Sequence, residues 1–349
     1  MKKIWEFVKK YRLWLIIGLV FILTYTVLNL KSVDYTVSPV IFTIFGFDVV
    51  YYSLCIVLGI VLALLFALRE IKILKIKEDD LYTGLFFGII VGVIGARLWY
   101  VLFNLKEFDS LAEVIGIGTG GLAGLAIQGA IIVVLIYAVF FCRWKKINLN
   151  KCLDMLIPGL FIGQICGRWG NFFNHELYGR PFLGDINNGQ FYFKILPKFI
   201  TDNMYIKNGY EGTGYYQPMF LYELLLNLVG LIILLTLRKK WKKFEHGDGL
   251  AFYLVWYGLV RCLTESFRYS EERLEILNIP VSIVMSVIFI ILGVGYFFFK
   301  RKYMARLLYC DSFAEYELYK KGIEPVVGDN EVIESNNTDN STNKSSEDE

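Results

Sequence analysis

Among the charged side chains inside or at the edges of long apolar stretches of this chain are Arg97, Arg168, Arg261, Glu176 and Glu265. An ionised side chain at the centre of a membrane-spanning helix costs about 2.5 kcal/mol or more, so such groups are functional candidates. A guanidinium group binds phosphate through two parallel hydrogen bonds. The residue types therefore predict a phosphate site, and the phosphate found at a membrane surface is that of a phospholipid headgroup.

The spacing of these polar residues groups them on helix faces. Tyr257, Arg261, Glu265 and Arg268 follow one another at i, i+4, i+8 and i+11, and Arg97, Tyr100 and Asn104 at i, i+3 and i+7. Each set forms one face of a helix. Anchoring at the membrane surface would explain any single one of them. It does not explain the whole set, because in the topology derived below five spans bring their polar groups to one level of the bilayer.

The elements that carry these residues are membrane spans. The chain has 349 residues, of which 56% are hydrophobic and only 20% charged, which is too apolar for a water-soluble fold. Apolar runs that approach the span length of about 20 residues cover residues 12–30, 50–68, 81–103, 121–142, 153–173, 220–237, 249–263 and 281–299. We predict an all-α polytopic integral membrane protein with a small extracytoplasmic head at about 174–219, a segment too polar to span.

Lysine and arginine indicate the orientation. They cluster at residues 2–12, 69–77, 143–151, 238–243 and 300–302, which places these connections and both termini in the cytoplasm. The first apolar run could be a signal peptide, but no small-residue cleavage site follows it, and we expect an uncleaved helix. The net charge of +3 does not indicate nucleic-acid binding. Six scattered cysteines and two histidines do not support a disulfide framework or a metal centre.

Two features of the spans concern packing. Gly84, Gly88, Gly92 and Gly95 repeat along one span, and we expect them to allow close approach of a neighbouring helix. The span at 153–173 is the least regular, because it is interrupted by Pro158, Gly159, Gly163 and Gly167. Such interruptions are tolerated only where protein or a cavity covers the freed backbone groups.

A family resemblance is carried by residues 167–180, which read Gly-Arg-Trp-Gly-Asn-Phe-Phe-Asn-His-Glu-Leu-Tyr-Gly-Arg. This run resembles the signature of the prolipoprotein diacylglyceryl transferase family, a long and specific pattern. Further agreement in order lies at Tyr52 and at residues 95–104, 124–130, 196–197, 217–223 and 257–268. The resemblance covers roughly residues 45–300.

The resemblance implies a bacterial plasma-membrane transferase that moves the diacylglyceryl group of phosphatidylglycerol to the lipobox cysteine thiol of a prolipoprotein, releasing glycerol phosphate. It implies a seven-helix core, to which the first helix is an addition, and no metal or organic cofactor. We expect a monomer whose partners are the two substrates and the lipid bilayer, with no nucleic acid.

The expected domains are a cytoplasmic N-terminus with the extra helix at 1–31, the transferase core at 45–300, and a cytoplasmic tail at 301–349. From about residue 325 the tail consists largely of asparagine, serine and acidic residues, so we predict that it is disordered.

Position and resemblance together assign candidate site residues. The catalytic candidates are Arg168, Asn171, Glu176, Tyr257, Arg261 and Glu265. The candidates for binding phosphatidylglycerol are Tyr52, Arg97, Gln128, Arg168, Asn171, Gly179, Arg261 and Arg268. We expect Arg168 and Arg261 to clamp the phosphate with Arg97 in support, to lower the pKa of the substrate thiol and to stabilise the leaving group. We expect Glu176 and Glu265 to orient arginines rather than to abstract protons.

Two positions depart from the family pattern. Many members have a histidine where Gln128 stands, and a second histidine where Gln217 precedes a proline. A glutamine side chain has no titratable proton acceptor, so Gln128 is excluded as a general base. His175 could substitute as the base, although we expect it to be a surface histidine.

A membrane transporter of phosphate or lipid is the alternative function. Transporters hold their charged groups near the bilayer midplane between inverted repeats, whereas here the polar groups are off-centre and we find no internal repeat. A receptor or structural membrane protein is a third class, and it would not need buried arginines beside carboxylates.

Overall fold

The computed structural model describes residues 39–44, 47–105, 108, 110, 113–114, 126–181, 196–268, 275–276, 279–304 and 307–320. Its helices are α1 (Tyr51–Leu74), α2 (Glu78–Phe103), α3 (Ile127–Trp144), α4 (Leu149–Phe173), α5 (Lys198–Asn203), α6 (Met219–Lys240), α7 (Asp248–Glu265), α8 (Val281–Tyr303) and α9 (Tyr309–Lys320). Three antiparallel hairpins pair β1 (Val40–Ile44) with β2 (Phe47–Val50), β3 (Tyr205–Gly209) with β4 (Gly212–Tyr215), and β5 (Glu275–Ile276) with β6 (Ile279–Pro280). The sequence did not predict these hairpins.

Seven of the eight predicted spans fall on long helices, and the run at 12–30 lies outside the described residues. Within the described part, α1, α2, α4, α6 and α8 are long and apolar enough to cross a membrane, and α3 contributes a shorter apolar stretch, Gly129–Trp144. Helix α7 has 18 residues, among them Asp248, Arg261 and Glu265. The predicted class, an all-α polytopic membrane protein, is confirmed.

The helices alternate in direction, so that the bundle has two distinct ends. Helices α1, α3, α6 and α8 finish at the same end of the bundle. We call it the basic end, because the last turns of these helices carry Lys72, Arg143, three basic residues of α6 and three of α8. The opposite end, where α2, α4 and α7 finish, is called the signature end. Cations in the last turn of a helix and anions in its first turn, such as Glu78 at the start of α2, interact favourably with the helix dipole.

Helix α4 is continuous through Pro158, although the sequence suggested an interrupted span. It begins at a capping residue, Asn148, whose side chain accepts hydrogen bonds from the backbone N–H groups of Asn150 and Lys151 at 2.9 and 3.3 Å. Pro158 is fully buried, since α4 packs against α1, α6 and α7. The surrounding protein thus covers the backbone groups that the proline leaves unpaired.

The repeated glycines of α2 face α3, which confirms that they serve packing. A Cβ atom added at Gly84, Gly92 or Gly95 would lie 3.1, 3.1 or 2.7 Å from side-chain atoms of α3. The reverse contact is tighter still, because a Cβ at Gly129 would overlap the carbonyl oxygen of Gly95. The two helices therefore cross with their backbones in direct contact.

The apolar core lies toward the basic end, where α1, α4 and α6 pack together and α9 closes over them. Tyr309 is 3% exposed, and Phe313 and Tyr316 pack on the same core. Helix α9 lies within the predicted tail at 301–349, where the sequence did not predict a packed helix. The predicted disordered part, from about 325, lies outside the described residues.

Buried ion pairs at the basic end join five helices and the segment between α6 and α7. Arg238 of α6 pairs with Glu70 of α1 at 2.5 Å, and Lys300 of α8 lies 2.9 Å from Asp248 of α7. His246 is not near the signature end, and its Nδ1 lies 2.9 Å from an oxygen of buried Asp154. We call this group the basic-end cluster, and it comprises Glu70, Asp154, Arg238, Glu245, His246, Asp248, Lys300, Arg301 and Tyr309.

Candidate active site

Three helices bring opposite charges together at the signature end. Arg168 lies near the end of α4, Glu223 in the second turn of α6, and Arg261 near the end of α7. One carboxylate oxygen of Glu223 is ion-paired with Nη2 of Arg168, and the other lies 3.8 Å from Nη1 of Arg261. Glu223 thus holds the two arginines that the sequence predicts as a phosphate clamp beside each other.

Glu223 itself was not among the predicted site residues. Its block, residues 217–223, is similar to the family pattern, but the sequence assigns no role to the carboxylate. A signal was present, because a glutamate in the second turn of an apolar span must find a partner or stay neutral. Only the packing of α6 between α4 and α7 identifies that partner as two arginines.

Arg261 and Glu265, which the sequence places on one helix face, form an ion pair. Nη2 of Arg261 lies 3.2 Å from Oε2 of Glu265, one turn further along α7. Residues at i and i+4 are neighbours on a helix surface, which is why the spacing alone indicated this contact. The geometry agrees with an orienting role for Glu265, which stays a prediction.

Glu176 reaches Arg168 through an amide. Nη1 of Arg168 donates to Oδ1 of Asn171 at 3.2 Å, and Nδ2 of Asn171 donates to Oε1 of Glu176 at 2.9 Å. The chain turns back after α4, with the backbone N–H of Glu176 bonded to the carbonyl of Asn171 at 3.1 Å. This turn requires left-handed backbone at His175 and Leu177, with φ of 53° and 56°. The three polar residues of the signature therefore act as one hydrogen-bonded unit.

The arginine side chains of the site are more exposed than its carboxylates. The side chains of Arg168 and Arg261 are 25% and 20% exposed, whereas those of Glu223 and Glu265 are 8% and 5% exposed. An incoming group therefore reaches the guanidinium groups more readily than the carboxylates. The arrangement suits an anion that can accept hydrogen bonds from both arginines.

Arg268 adds a third positive charge beside this group. Its pKa lies below the usual arginine range because burial disfavours the charged form and because Arg261 repels it, while the two nearby carboxylates act in the opposite sense. An anion bound here would relieve that repulsion.

Gly179 holds the signature loop against the ends of two helices. Its N–H donates to the carbonyl of Gln217 at 2.9 Å, and the next residue, Arg180, donates to the carbonyl of Phe267 at 2.9 Å. A Cβ at Gly179 would lie 2.8 Å from Gln217 and 2.9 Å from Phe267. The described contacts of Gly179 are therefore packing contacts, and its predicted role in substrate binding stays a prediction.

Of the two tyrosines predicted for the site, Tyr52 of α1 packs against α4, and Tyr257 belongs to α7. The ring of Tyr52 packs on Gly170, where an added Cβ would lie 2.5 Å from Cδ2 of the ring. Tyr52 therefore lies level with Gly170, which is between Arg168 and Asn171 along the axis of α4. Tyr257 is one turn nearer the basic end than Arg261 and stacks on Tyr253, with ring centroids 6.0 Å apart.

Arg97 is engaged elsewhere in the described structure. Its Nε and Nη2 donate to the carbonyls of Val114 and Glu113 at 2.9 and 2.6 Å, and its guanidinium carbon lies 5.0 Å from the ring centroid of Phe108. These contacts tie down the segment after α2. The predicted support of the phosphate clamp by Arg97 stays a prediction.

Two positions bear on the identity of the general base, Gln128 and His175. The side chain of Gln128 lies outside the described part, and its backbone belongs to the first turn of α3, next to the crossing with α2. His175 is partly buried, rather than a freely exposed surface residue, and its Nε2 lies 3.2 Å from Oδ1 of buried Asn203. The contact with Asn203 gives His175 a structural role in joining the turn after α4 to α5.

Comparison with known proteins identifies related chains. A family model described as prolipoprotein diacylglyceryl transferase matches residues 39–299. The phosphatidylglycerol--prolipoprotein diacylglyceryl transferase of Streptococcus sanguinis (strain SK36) is 37% identical over 267 residues, which are 76% of this chain and 97% of the relative. The enzyme of the same name from Streptococcus pneumoniae (strain ATCC 700669 / Spain 23F-1) is 39% identical over 245 residues, 70% of this chain and 87% of the relative. That from Streptococcus uberis (strain ATCC BAA-854 / 0140J) is 34% identical over 267 residues, 76% and 96% of the two chains.

Proposed function

The chain belongs to the prolipoprotein diacylglyceryl transferase family, and we propose that it transfers the diacylglyceryl group of phosphatidylglycerol to the lipobox cysteine of a prolipoprotein. The observation that carries the proposal for the site is the Arg168–Glu223–Arg261 arrangement at the signature end. Two guanidinium groups held side by side, with their counter-charges more deeply buried, suit the phosphodiester of a phospholipid.

The reaction joins sulfur to carbon and releases a phosphate ester. The thiol sulfur attacks a glyceryl carbon, the new C–S bond forms as the C–O bond to phosphate breaks, and the electron pair leaves with the phosphate oxygen. The thiol proton passes to the glycerol phosphate product or to solvent. A free cysteine has a pKa of about 8.5, so only a few per cent is thiolate at pH 7. Positive charge from the arginines favours both the thiolate and the developing charge on the leaving group.

The remaining candidates support this pair of arginines. Asn171 and Glu176 orient Arg168 through their hydrogen-bond chain, and Glu265 orients Arg261. Arg268 contributes further positive charge, and Tyr52 and Tyr257 line the approach along α4 and α7. Arg97, Gln128 and Gly179 complete the proposed lipid site.

We place the protein in the bacterial plasma membrane, with the signature end toward the extracytoplasmic leaflet. The basic residues that end α1, α3, α6 and α8 support a cytoplasmic basic end. The segment between α4 and α6 is then the extracytoplasmic head, and α9 and the C-terminus are cytoplasmic. Reporter fusions after Lys240 and within residues 205–215 test this orientation, which fails if the first reports from outside the cell.

Transfer by the purified chain tests the function directly. The protein is incubated with labelled phosphatidylglycerol and a lipobox peptide, and the thioether-linked lipid is measured. Arg168→Lys keeps the charge but loses the planar fork. Because one charge-assisted hydrogen bond contributes about 1.5–3 kcal/mol, we expect a rate about 10- to 100-fold lower.

Arg143→Lys is the matched control, since Arg143 is exposed at the basic end, and we expect it to leave the rate unchanged. Full activity of Arg168→Lys would contradict bidentate binding of phosphate. Absence of product from the wild-type protein, together with solute flux in proteoliposomes, would favour a transporter of phosphate or lipid.

A further inference from the structure

The charged side chains of the proposed site form one electrostatic group. Glu223 is ion-paired with Arg168 and lies 3.8 Å from Arg261. Glu265 lies 3.2 Å from Arg261 as well. Arg268 belongs to the same group, because all four of these side chains act electrostatically on it. We call these five residues the signature-end cluster.

The signature-end cluster carries one positive charge in excess. Its three guanidinium groups are opposed by only two carboxylates, those of Glu223 and Glu265. Glu176 and Arg180, both exposed in the segment that follows α4, add one charge of each sign and leave the balance unchanged. Among the described residues, the cluster therefore offers a bound anion a net charge of +1.

The substrate and the product of the proposed transfer differ in charge at this position. The phosphodiester of phosphatidylglycerol carries one negative charge. The glycerol phosphate that is released gains the electron pair of the broken C–O bond and becomes a phosphomonoester. Such a group carries about 1.5–2 negative charges at pH 7, because its second pKa is about 6. A net charge of +1 is therefore balanced by the substrate and exceeded by the product.

Glu223 is the carboxylate that a bound phosphate must lie near. Because Glu223 contacts both guanidinium groups of the clamp, an anion that accepts hydrogen bonds from Arg168 and Arg261 lies close to it. The repulsion between the carboxylate and the anion grows with the charge of the anion. At an effective dielectric constant of about 20–40 and a separation of about 8 Å, it weakens binding by about 5- to 30-fold for each unit of anion charge.

We propose that Glu223 is a specificity-determining residue that limits the charge of the clamp, so that the phosphodiester monoanion is retained and the phosphomonoester dianion is released. This inference rests on the proposed transfer from a phospholipid, and it gives Glu223 a second task besides holding the two arginines. Release of the product is then favoured by the negative charge that the reaction itself creates on the leaving phosphate.

The test compares two ligands of similar size that differ in charge, glycerol phosphate and its methyl phosphodiester. Their dissociation constants for the full chain in detergent are measured by phosphorus NMR titration at about pH 7.5, where the monoester is a dianion. The wild type should bind the two about equally. Glu223→Gln should tighten binding of glycerol phosphate relative to the diester by about 5- to 30-fold. Glu223→Asp, which keeps the charge, should keep the wild-type ratio even if it lowers the transfer rate.

Glu211→Gln is the matched control, because Glu211 is an exposed carboxylate between β3 and β4, and it should leave the ratio unchanged. An unchanged ratio in Glu223→Gln, or equal changes in Glu223→Gln and Glu223→Asp, would overturn the inference. Failure of the wild type to bind either anion would overturn it too.

A second measurement needs no variant to fold. Raising the pH from about 5.5 to about 7.5 ionises glycerol phosphate a second time, and this should not tighten its binding to the wild type. The methyl diester keeps one charge over this range and reports any titration of the protein itself, such as that of His175. Tenfold tightening of glycerol phosphate relative to the diester would contradict the inference. If the wild type binds both anions but transfers no lipid, the proposed function fails, whereas the charge selectivity is still decided by the ratio.

Discussion

Replacing Glu70 by glutamine should strongly destabilise the protein, because Glu70 is the counter-charge of a buried arginine. Arg238 is 2% exposed and Glu70 4% exposed. Nη2 of Arg238 lies 2.5 Å from Oε2 of Glu70, whereas its Nε and Nη1 have no hydrogen-bond partner in the described part of the chain. Leaving one buried charge unpaired costs about 3–5 kcal/mol.

The same carboxylate also holds α9. The hydroxyl of Tyr309 donates to Oε2 of Glu70 at 2.9 Å, and the guanidinium carbon of Arg238 lies 4.3 Å from the centroid of the Tyr309 ring. Tyr309→Phe removes one hydrogen bond to a charged group, which contributes about 1.5–3 kcal/mol. The expected order of destabilisation is therefore Glu70→Gln above Tyr309→Phe.

A matched control lies on the same pair of helices. Nζ of Lys75, the residue directly after α1, lies 2.8 Å from Oε2 of Glu315 on α9, and these side chains are 64% and 43% exposed. Exposed ion pairs contribute about 0–1 kcal/mol, so Glu315→Gln should change stability little. The measurement is the free energy of unfolding by denaturant titration in bicelles.

The double variant Glu70→Gln/Arg238→Met gives a second check. It removes both charges and should be more stable than Glu70→Gln alone. If Glu70→Gln destabilises no more than Glu315→Gln, the reasoning about the buried charge is wrong. If the double variant is less stable than Glu70→Gln, the cost comes from packing rather than from an unpaired charge.

Three further outcomes are expected. Gly129→Ala should lower the unfolding free energy by about 1–3 kcal/mol through overpacking, because the new Cβ would overlap a carbonyl oxygen of α2. Gly163→Ala, where a Cβ would meet nothing within 4 Å, should change the unfolding free energy little, and equal effects of the two substitutions would contradict the close crossing. His175→Ala should leave the transfer rate close to wild type, since the ring contacts Asn203, and abolished transfer would instead identify His175 as the base. Gln128→Ala should reduce transfer by about tenfold or less, the effect of a lost hydrogen bond, and complete loss would show that Gln128 has a larger role.

Much of the fold was predictable because membrane spans and local contacts depend on residues that are close together in the sequence. Seven apolar runs became long helices, and the glycines of α2 were correctly assigned to packing. The hairpins and α9 were not predicted. Tyr309, Phe313 and Tyr316 repeat at i, i+4 and i+7, a helical spacing, but their partners lie on α1 and α6. By itself a segment of this length buries too little apolar surface to be stable as a helix, so its own sequence does not predict one.

The site was predictable in part for the same reason. The sequence by itself determined the membrane class, the family signature and the contact between Arg261 and Glu265, which one turn of helix brings together. Only the tertiary structure decided that Glu223 bridges Arg168 and Arg261, that Tyr52 packs on Gly170, and that Gln164 meets Tyr253. Each of these contacts joins different helices. Side-chain periodicity shows which face of a helix is polar, but the choice of partner depends on which helices pack together and at what height.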